Sequence, residues 1–368
     1  MKDKYYSLNA ILSKNATYNV IFGERSNGKS YAVLEYALKE FWSKRSQLAI
    51  VRRWSDDFIG KRGQMMFASL ERNGRGENVV SKITGGEYTN IYYYASKWYL
   101  CRYDEETGKR IQMETPFAFG FSITAQEHDK STNYPNVKII LFDEFLTRQN
   151  YVNDEFILFM NVISTIIRDR KGNDIKIFML GNTVNRYSPY FLEMGLKHVK
   201  DMKQGTIDVY SYGDSRLTVA VEYVKPNAKG KESDYFFAFD NPKLQMITGG
   251  SWEIDIYPHC PMKYEHKHIQ FEYFIVFNGD VLHAEVIQKN QCLFTFIHRK
   301  TTPLKDEAND LIFDTERSPL PNRTQNFLHP VNKLHKKVLE VWKNEKVFYS
   351  DNETGEVMRN YLSYCKGV

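Results

Sequence analysis

The chain of 368 residues has little cysteine and no long apolar run. Its four cysteines lie far apart and form no C-x-x-C pair, which argues against a disulfide framework and a cysteine-rich zinc site. The apolar runs VKIILF and FEYFIVF are much shorter than the ~20 residues that a membrane-spanning helix needs. The amino-terminal segment has no apolar stretch suited to a signal peptide. We therefore expect a soluble, intracellular protein that does not enter membranes.

Neither sign of charge dominates, because 50 basic and 45 acidic side chains leave a net charge of only +5. This excess does not by itself indicate a nucleic-acid partner, although a local basic stripe would be enough for one. Hydrophobic residues make up 42% of the chain, including 24 Phe and 25 Tyr, so a sizeable core is expected and disorder is not. The length suggests about two domains.

The first half of the chain alternates strand-like and helix-like segments. Apolar runs typical of buried strands occur at YNVIFG, QLAIVRR, NVKIILFDEF and DIKIFMLGNT, and helical periodicity follows the first and third runs. This alternation predicts an α/β domain with a mainly parallel sheet. The aromatic segment before the third run predicts a hairpin that turns at DEETGK. The second half is strand-like, with a second hairpin at FNGD and a basic amphipathic helix, NKLHKKVLEVWKN, near the end.

The segment FGERSNGKS matches the Walker A pattern of Gly, four residues, Gly, Lys and Ser. A strand precedes it and a helix follows it, which is the arrangement in which backbone N–H groups cradle phosphate. We expect Lys29 to reach the β- and γ-phosphates and Ser30 to bind Mg²⁺. Gly23 and Gly28 would allow close approach of the backbone. The predicted nucleotide-binding residues are Gly23, Arg25, Asn27, Gly28, Lys29, Ser30 and Asp143.

The third strand ends in two carboxylates, Asp143 and Glu144, which are costly to bury without a role. Asp143 would hold the Mg²⁺ shell, and Glu144 would polarise the attacking water. A glutamate in this position indicates the additional-strand, catalytic-glutamate class of NTPases. The chain has no convincing NKxD guanine-recognition motif, so we expect ATP as the nucleotide. Asn182, which ends the next strand, would sense the γ-phosphate, although it could equally be a turn residue.

Hydrolysis also requires a cation that stabilises the transition state, and an arginine finger contributes about 10³–10⁵ in rate. Arg168 and Arg170 follow the helix between the two strands and could act on a neighbouring subunit. Arg25, inside the loop, is an alternative that would act in cis. Surface arginines that cap a helix would look the same in sequence.

A protein that binds nucleic acid of any sequence should contact phosphates and not base edges. The candidates are Lys61 and Arg62, which follow the second strand, and Arg148, which follows the Asp-Glu strand. Each of them could also be an ordinary surface charge. The basic tail could contact DNA, RNA or a partner protein through Lys333, Lys336 and Lys337.

Together these segments resemble the genome-packaging ATPases, or encapsidation proteins, of small phi29-like tailed bacteriophages. The resemblance rests on FGERSNGKSYA, VRRW, DKSTNYPNVKIILFDEF, IIRDR, LGNTVNRYSPYF and FIVFNGDVL, which occur in the family's order. It implies a RecA-like ATPase motor over residues 1–205 and a linker over residues 206–255. It further implies a C-terminal α+β domain over residues 256–368 that is similar to the RNase H-like nuclease of terminases, with its catalytic residues lost.

The resemblance also implies a function, namely ATP-driven translocation of double-stranded viral DNA into a preformed procapsid. The motor would be a homomeric ring, usually a pentamer, docked on the portal in the host cytoplasm, with a possible packaging RNA. Arg168 matches the family's trans-acting arginine, and Lys130 matches a basic residue that faces the neighbouring subunit.

Several alternatives remain open from the sequence. The chain could be another RecA-like nucleic-acid-dependent ATPase, such as a helicase, or a nucleotide-gated portal assembly factor. A nuclease would need converging carboxylates. Asp255, Asp280 and Glu285 do not form a recognisable pattern, so nuclease activity is not expected. The histidines and cysteine of HCPMKYEHKH fit no usual zinc spacing.

Overall fold

The structure is a computed structural model that describes residues 5–125, 133–148, 151–168, 174–225, 252–253, 255–260, 262–304 and 306–367. The chain divides into two compact units, Met1–Glu253 and Ile254–Val368.

The first unit is built on one large mixed sheet. Its described strands are β1 (Tyr18–Gly23), β2 (Gln47–Arg52), β3 (Asn90–Tyr94), β4 (Lys97–Tyr103), β5 (Arg110–Gln112), β6 (Ala118–Ser122), β7 (Val137–Asp143), β8 (Lys176–Asn182), β9 (Thr206–Tyr212) and β10 (Leu217–Tyr223). Its described helices are α1 (Asn9–Leu12), α2 (Lys29–Lys44), α3 (Lys61–Met65), α4 (Ala68–Glu71), α5 (Val79–Thr84), α6 (Glu155–Ile166) and α7 (Pro189–Glu193).

The strands follow the order β3-β4-β6-β2-β7-β8-β1-β10-β9, with β5 paired to β4. The six central strands, in the spatial order β6-β2-β7-β8-β1-β10, are parallel. Strand β9 and the β3–β4–β5 meander add antiparallel edges. The predicted mainly parallel sheet is therefore confirmed. β8 is inserted between β1 and β7, so it is the additional strand that gives the predicted NTPase class its name.

Both faces of the central strands are buried, which explains their nearly continuous apolar sequences. Val20 and Phe22 of β1 pack into the core on the α6 side, while Ile21 packs into the core on the α2 side. Helix α2 contributes an apolar stripe to its side of the sheet, and full burial of such side chains contributes about 1.5–3 kcal/mol each. Its solvent face has two i,i+4 Glu–Lys pairs, Glu35–Lys39 and Glu40–Lys44, in the favourable order.

The predicted boundary between the motor and the linker at residue 205 is wrong. Strands β9 and β10 complete the motor sheet, because β10 pairs in parallel with β1 along its length and Val20 lies beside Val221. The middle residues of β10 are buried in the apolar cores on both faces of the sheet. The residues of a solvated linker would be exposed instead. The first unit accordingly extends to Glu253.

The second unit contains strands β11 (Ile269–Phe277), β12 (Asp280–Lys289), β13 (Cys292–Arg299), β14 (Ile312–Phe313), β15 (Arg323–Thr324) and β16 (Val347–Tyr349), with helices α8 (Lys333–Lys343) and α9 (Asn352–Gly367). The sheet order is β15-β14-β11-β12-β13-β16. The predicted hairpin between β11 and β12 is confirmed, and it turns through Asn278 (φ 49°) and Gly279 (φ 80°) as a tight hairpin requires.

An antiparallel meander of β11, β12 and β13 is thus extended by short parallel strands at both edges. The second unit therefore combines a mainly antiparallel sheet with helices, and its similarity to an RNase H-like nuclease stays a prediction.

Candidate nucleotide site

The predicted nucleotide residues meet at the carboxyl ends of β1, β7 and β8, the edge of a parallel sheet where ligands bind. A cavity of about 1340 Å³ opens there. Its lining includes the segment from Arg25 to Ser30, both carboxylates of the Asp-Glu strand, and Asn182. Tyr5, Tyr31 and residues 73–75 are among the other residues that line the cavity. All of these residues belong to the first unit.

The loop after β1 has the tight shape that a phosphate cradle needs. Gly28 has φ 93°, a conformation that side chains rarely adopt, and a Cβ there would lie 3.3 Å from Tyr5. The backbone N–H of Lys29 donates to Oδ1 of Asn27 at 3.3 Å, so Asn27 holds the entry to α2. Asn27 is 2% exposed, which fits a role in shaping the loop.

Lys29 is folded into the loop and lies close to the sensor position. Its Nζ donates to the carbonyl oxygen of Glu24 at 2.6 Å and to Oδ1 of Asn27 at 3.2 Å. It also lies 3.5 Å from Oδ1 of Asn182. The register explains this contact, because Gly23 at the end of β1 pairs with Asn182 at the end of β8. A γ-phosphate held by Lys29 would therefore lie beside Asn182.

Ser30 and Asp143 form a pair of oxygen ligands across the loop. The hydroxyl of Ser30 donates to Oδ2 of Asp143 at 3.0 Å. A hydroxyl and a carboxylate next to a phosphate site are the hard oxygen donors that Mg²⁺ prefers, with substrate phosphate and water completing its shell. The two residues therefore fit the ion for which the sequence predicted them.

Glu144 lies just beyond the end of β7, where the backbone turns sharply. Its φ is 63°, and its side chain is 68% exposed. The turn brings Phe145 and Leu146 so close to β8 that a Cβ on Gly181 would lie 2.8–3.0 Å from their side chains. Gly181 therefore allows the turn that presents Glu144 to the pocket.

Arg52 is the residue of this site that the sequence analysis did not identify. Its guanidinium contacts both carboxylates, at 3.3 Å from Oδ2 of Asp143 and 2.9 Å from Oε2 of Glu144. The signal was the basic pair at the end of the QLAIVRR strand. This pair could be assigned to the site only because β2 pairs with β7, where Val51 lies beside Phe142 and Arg52 follows beside Asp143.

The electrostatic environment of Asp143 opposes its ionisation. Burial raises the pKa of this carboxyl above its ordinary value, the Arg52 guanidinium lowers it, and neighbouring Glu144 raises it, with a net upward shift. A bound divalent cation would therefore stabilise the charged form of Asp143.

Arg53, the next residue, ties the Asp-Glu turn to α6. Its guanidinium bonds both carboxylate oxygens of the fully buried Glu155 at 2.8 Å and the carbonyl of Phe145 at 3.0 Å. Tyr190 of α7 also donates to Glu155 at 2.8 Å. This buried network connects the segment carrying Glu144 to the start of the helix that Arg168 follows.

The other predicted cations have varied surroundings. Arg168 is exposed just after α6, while Arg170 and Lys130 lie outside the described residues. Arg25 pairs with Glu253 at 3.2 Å. Lys61 and Arg62 are exposed at the start of α3.

Arg148, the third residue predicted to contact DNA, is partly buried and bonds within the chain. Its NH1 donates to the carbonyls of Val184 and Glu253, at 2.9 and 2.6 Å. These contacts hold the loop after β7 against backbone that follows β8, so a solvent-facing role for this guanidinium has no support in the geometry.

The carboxylates considered for a nuclease have separate partners in the second unit. Asp255 lies 4.0 Å from Arg359, and Asp280 lies 3.7 Å from Arg299. Glu285 accepts a hydrogen bond from Tyr264.

The loop, the inserted strand β8 and the paired carboxylates define a P-loop NTPase fold of the additional-strand, catalytic-glutamate class. Residues 107–244 match the family of the podovirus DNA encapsidation protein (Gp16). The DNA packaging protein of Bacillus phage phi29 is 25% identical over 199 residues, or 53% of this chain and 51% of the relative. That of Bacillus phage B103 is 26% identical over 189 residues, or 50% of each chain.

The chain spans about half the length of the curated relatives it matches. Over its full length, its fold is similar to that of a chain in the bacteriophage phi29 genome packaging motor assembly. The TM-score is 0.54 at 19% identity, with 100% of both chains covered. The chain is thus similar in part of its sequence and in its fold to podovirus DNA encapsidation and packaging proteins, as its motifs suggested. Among the described residues, no helix combines the length and the apolar character needed to cross a bilayer.

Proposed function

We propose that the chain is an ATP-driven motor that translocates double-stranded viral DNA into a preformed procapsid and hydrolyses ATP at the subunit interfaces of a ring. The observation that carries this proposal is the convergence of three contacts in one pocket. Lys29 meets Asn182, Ser30 meets Asp143, and Glu144 lies directly beside them. The similarity to phage DNA packaging proteins supports DNA as the cargo.

In this proposal each residue of the pocket has one task. Lys29 holds the β- and γ-phosphates, which would replace the loop carbonyls as partners of its Nζ. Ser30 and Asp143 hold Mg²⁺, which when bound neutralises charge on the phosphate oxygens. Glu144 orients the attacking water and accepts its proton. Asn182 contacts the γ-phosphate and responds to its loss.

Arg52 adds a constraint on this sequence of events. Its guanidinium lies 2.9 Å from Glu144, so the carboxylate has to leave that ion pair before it can serve a water molecule near the phosphate. The side chain of Glu144 is 68% exposed, whereas that of Arg52 is 16% exposed and also contacts Asp143. Hydrolysis is therefore gated by a change of partner at Glu144.

The transition state needs a further cation, since Arg52 contacts the two carboxylates and Arg25 pairs with Glu253. We assign this role to Arg168 of a neighbouring subunit, with Lys130 and Arg170 as further trans-acting candidates. The exposure of Arg168 after α6 fits a residue that reaches another chain. The partners are then other copies of this chain in a ring, which the family resemblance puts at five, and the procapsid portal.

The remaining partners concern the DNA track and its surroundings. Lys61 and Arg62, exposed on α3, are the candidates for contacts with DNA phosphates. A packaging RNA between ring and portal fits the family resemblance. The motor would work in the host cytoplasm, at the portal vertex of the procapsid.

The test is ATP hydrolysis by the full chain with and without double-stranded DNA, under conditions where ring formation is verified. We expect DNA to stimulate the wild type and both Glu144→Gln and Arg168→Ala to be inactive. Mixing the two inactive variants should restore activity, because each supplies the part that the other lacks. Arg72→Ala is the matched control, since Arg72 is exposed and lies outside the pocket.

The outcomes distinguish the alternatives. Normal hydrolysis by Arg168→Ala within a verified ring would reject the trans assignment and favour Arg25. A rate that DNA does not change would argue against translocation while leaving the ATPase intact. Strand separation of a duplex would favour a helicase, and nucleotide binding with negligible turnover would favour a portal assembly factor.

A further inference from the structure

The second unit contains a polar side-chain cluster that the proposed motor chemistry does not use. Glu272 on β11, His283 and Glu285 on β12, and His298 on β13 lie on one face of the meander. The register pairs Glu272 with Glu285 and His283 with His298 across neighbouring strands. The intervening residues point to the opposite, apolar face and are buried: Tyr273, Ala284 and Ile297.

Three of these side chains bring ligand atoms together. The metal-binding atoms of His283, Glu285 and His298 all lie within 4.8 Å of one another. Tetrahedral zinc with bonds of about 2.0–2.1 Å needs donor atoms about 3.3 Å apart. Side-chain rotations that move the donor atoms by about 1 Å would therefore complete the site. The side chains are 16%, 13% and 32% exposed, in the same order, which leaves an ion a way in.

The hydrogen bonds of His298 leave its inner nitrogen available. Nδ1 lies 3.2 Å from the carbonyl oxygen of Arg299. Because a carbonyl only accepts, Nδ1 carries the proton and Nε2 carries the lone pair. That Nε2 faces Oε2 of Glu285 at 3.8 Å. A backbone carbonyl that fixes the tautomer of a histidine in this way is typical of metal-binding histidines.

The Nε2 nitrogen of His283 also faces a carboxylate of the cluster. Nε2 is shielded from solvent and makes no well-aligned hydrogen bond with any described residue, although Oε2 of Glu272 lies 3.2 Å away. An ion at the cluster would contact this nitrogen and the Glu272 carboxylate together.

Other side chains hold the cluster in place. The hydroxyl of Tyr264 donates to Glu285 and orients its carboxylate. The ring of Phe274 stacks on that of His283 at 4.8 Å and 25°. Support of this kind around the ligands usually accompanies a metal site and tunes its affinity.

We propose that His283, Glu285 and His298 bind one Zn²⁺-class transition-metal ion, with Glu272 as the fourth ligand. Two imidazoles with carboxylates suit zinc, whereas Mg²⁺ and Ca²⁺ prefer oxygen ligands alone. The ion would join all three strands of the meander, and through Tyr264 it would fix the segment before β11. Its role is therefore to stabilise the second unit.

The test is calorimetric titration of Zn²⁺ into the full chain, purified without a histidine tag, stripped with chelator and kept in excess Mg²⁺ to saturate the nucleotide site. We expect one equivalent of Zn²⁺ to bind and the thermal unfolding midpoint of the second unit to rise. His283→Ala and His298→Ala should each weaken binding at least about tenfold, and Tyr264→Phe about 10–100-fold. His329→Ala is the matched control, because His329 is exposed and lies outside the cluster.

Substitution with Co²⁺ supplies a second measurement. Visible absorption bands without a thiolate charge-transfer band would assign the ion to His and Glu ligands and not to a cysteine. Equal Zn²⁺ binding by the wild type and by both alanine variants would overturn the proposal, and so would no Zn²⁺ binding by the wild type. If an alanine variant fails to fold, Glu285→Gln and His298→Asn test the same ligands. None of these results depends on ATP hydrolysis, so they are independent of the motor proposal.

Discussion

Arg52 and Glu144 form an ion pair at 2.9 Å across the ends of β2 and β7, and the same guanidinium lies 3.3 Å from Asp143. One arginine therefore balances both carboxylates of the nucleotide site. We predict that Arg52→Ala slows ATP hydrolysis and raises the Mg²⁺ concentration needed for half-maximal rate, because loss of the cation further disfavours the ionised form of Asp143. Steady-state rates at several Mg²⁺ concentrations measure both effects.

Arg52→Lys should recover part of the Mg²⁺ response, since it keeps the charge but loses the two-pronged contact. Arg72→Ala is the exposed control. An unchanged Mg²⁺ dependence in Arg52→Ala would show that Arg52 does not act through Asp143.

Glu144→Gln should hydrolyse ATP about 10²–10⁴-fold more slowly, because the amide cannot accept a proton from water. Nucleotide binding should persist, since Lys29 and the loop are untouched. Single-turnover hydrolysis together with binding of a fluorescent ATP analogue separates the two effects. Lys29→Ala should instead weaken nucleotide binding itself, because it removes the side chain that holds the phosphates. Near-normal turnover in Glu144→Gln would mean that another group activates the water.

The raised pKa of Asp143 predicts a pH-dependent gain in stability for Asp143→Asn. A folded-state pKa above the unfolded value means that the folded state binds the proton more tightly. The contribution of Asp143 to stability is therefore lost as pH rises from about 3.9, the ordinary value. The variant has no such loss, so its advantage in the free energy of unfolding should grow with pH until Asp143 is fully ionised.

Denaturant unfolding of wild type and Asp143→Asn between about pH 4.5 and 7.5 measures this difference, with the exposed Asp56→Asn as control for the substitution. The variant should be inactive at every pH. An advantage that shrinks as pH rises would contradict the upward shift.

The buried ion pair of Arg53 and Glu155 should dominate the stability of the region behind the Asp-Glu turn. Glu155→Ala leaves the arginine, which is 10% exposed, without its carboxylate and should cost about 3–5 kcal/mol. The double variant Arg53→Met/Glu155→Leu should lose less than Glu155→Ala alone, because neither charge is left unpaired. Denaturant unfolding of Glu155→Ala, of the single variants Arg53→Met and Glu155→Leu, and of the double variant measures this. A double variant as unstable as the sum of the singles would show that the two residues do not act as a pair.

The sequence alone indicated the elements that depend on local chemistry. FGERSNGKS needs a strand before it and a helix after it, so the positions of Lys29 and Ser30 were predictable. IILFDEF carries its buried strand and both carboxylates within seven residues, and FNGD specifies a hairpin turn. In these segments residue type and spacing suffice, because turns, helix starts and buried strands are set by neighbours along the chain.

Tertiary structure decided which segments became neighbours. Nothing in QLAIVRR indicates that Arg52 meets Glu144, because that contact requires β2 to pair with β7. The segment from 206 to 223 has the same strand-like pattern whether it belongs to a linker or a motor sheet, and only the pairing of β10 with β1 placed it in the sheet. Likewise, His283 and His298 are 15 residues apart in sequence and face each other through strand register. Strand order and register follow from burying apolar faces across the whole unit, a global balance that no local pattern contains.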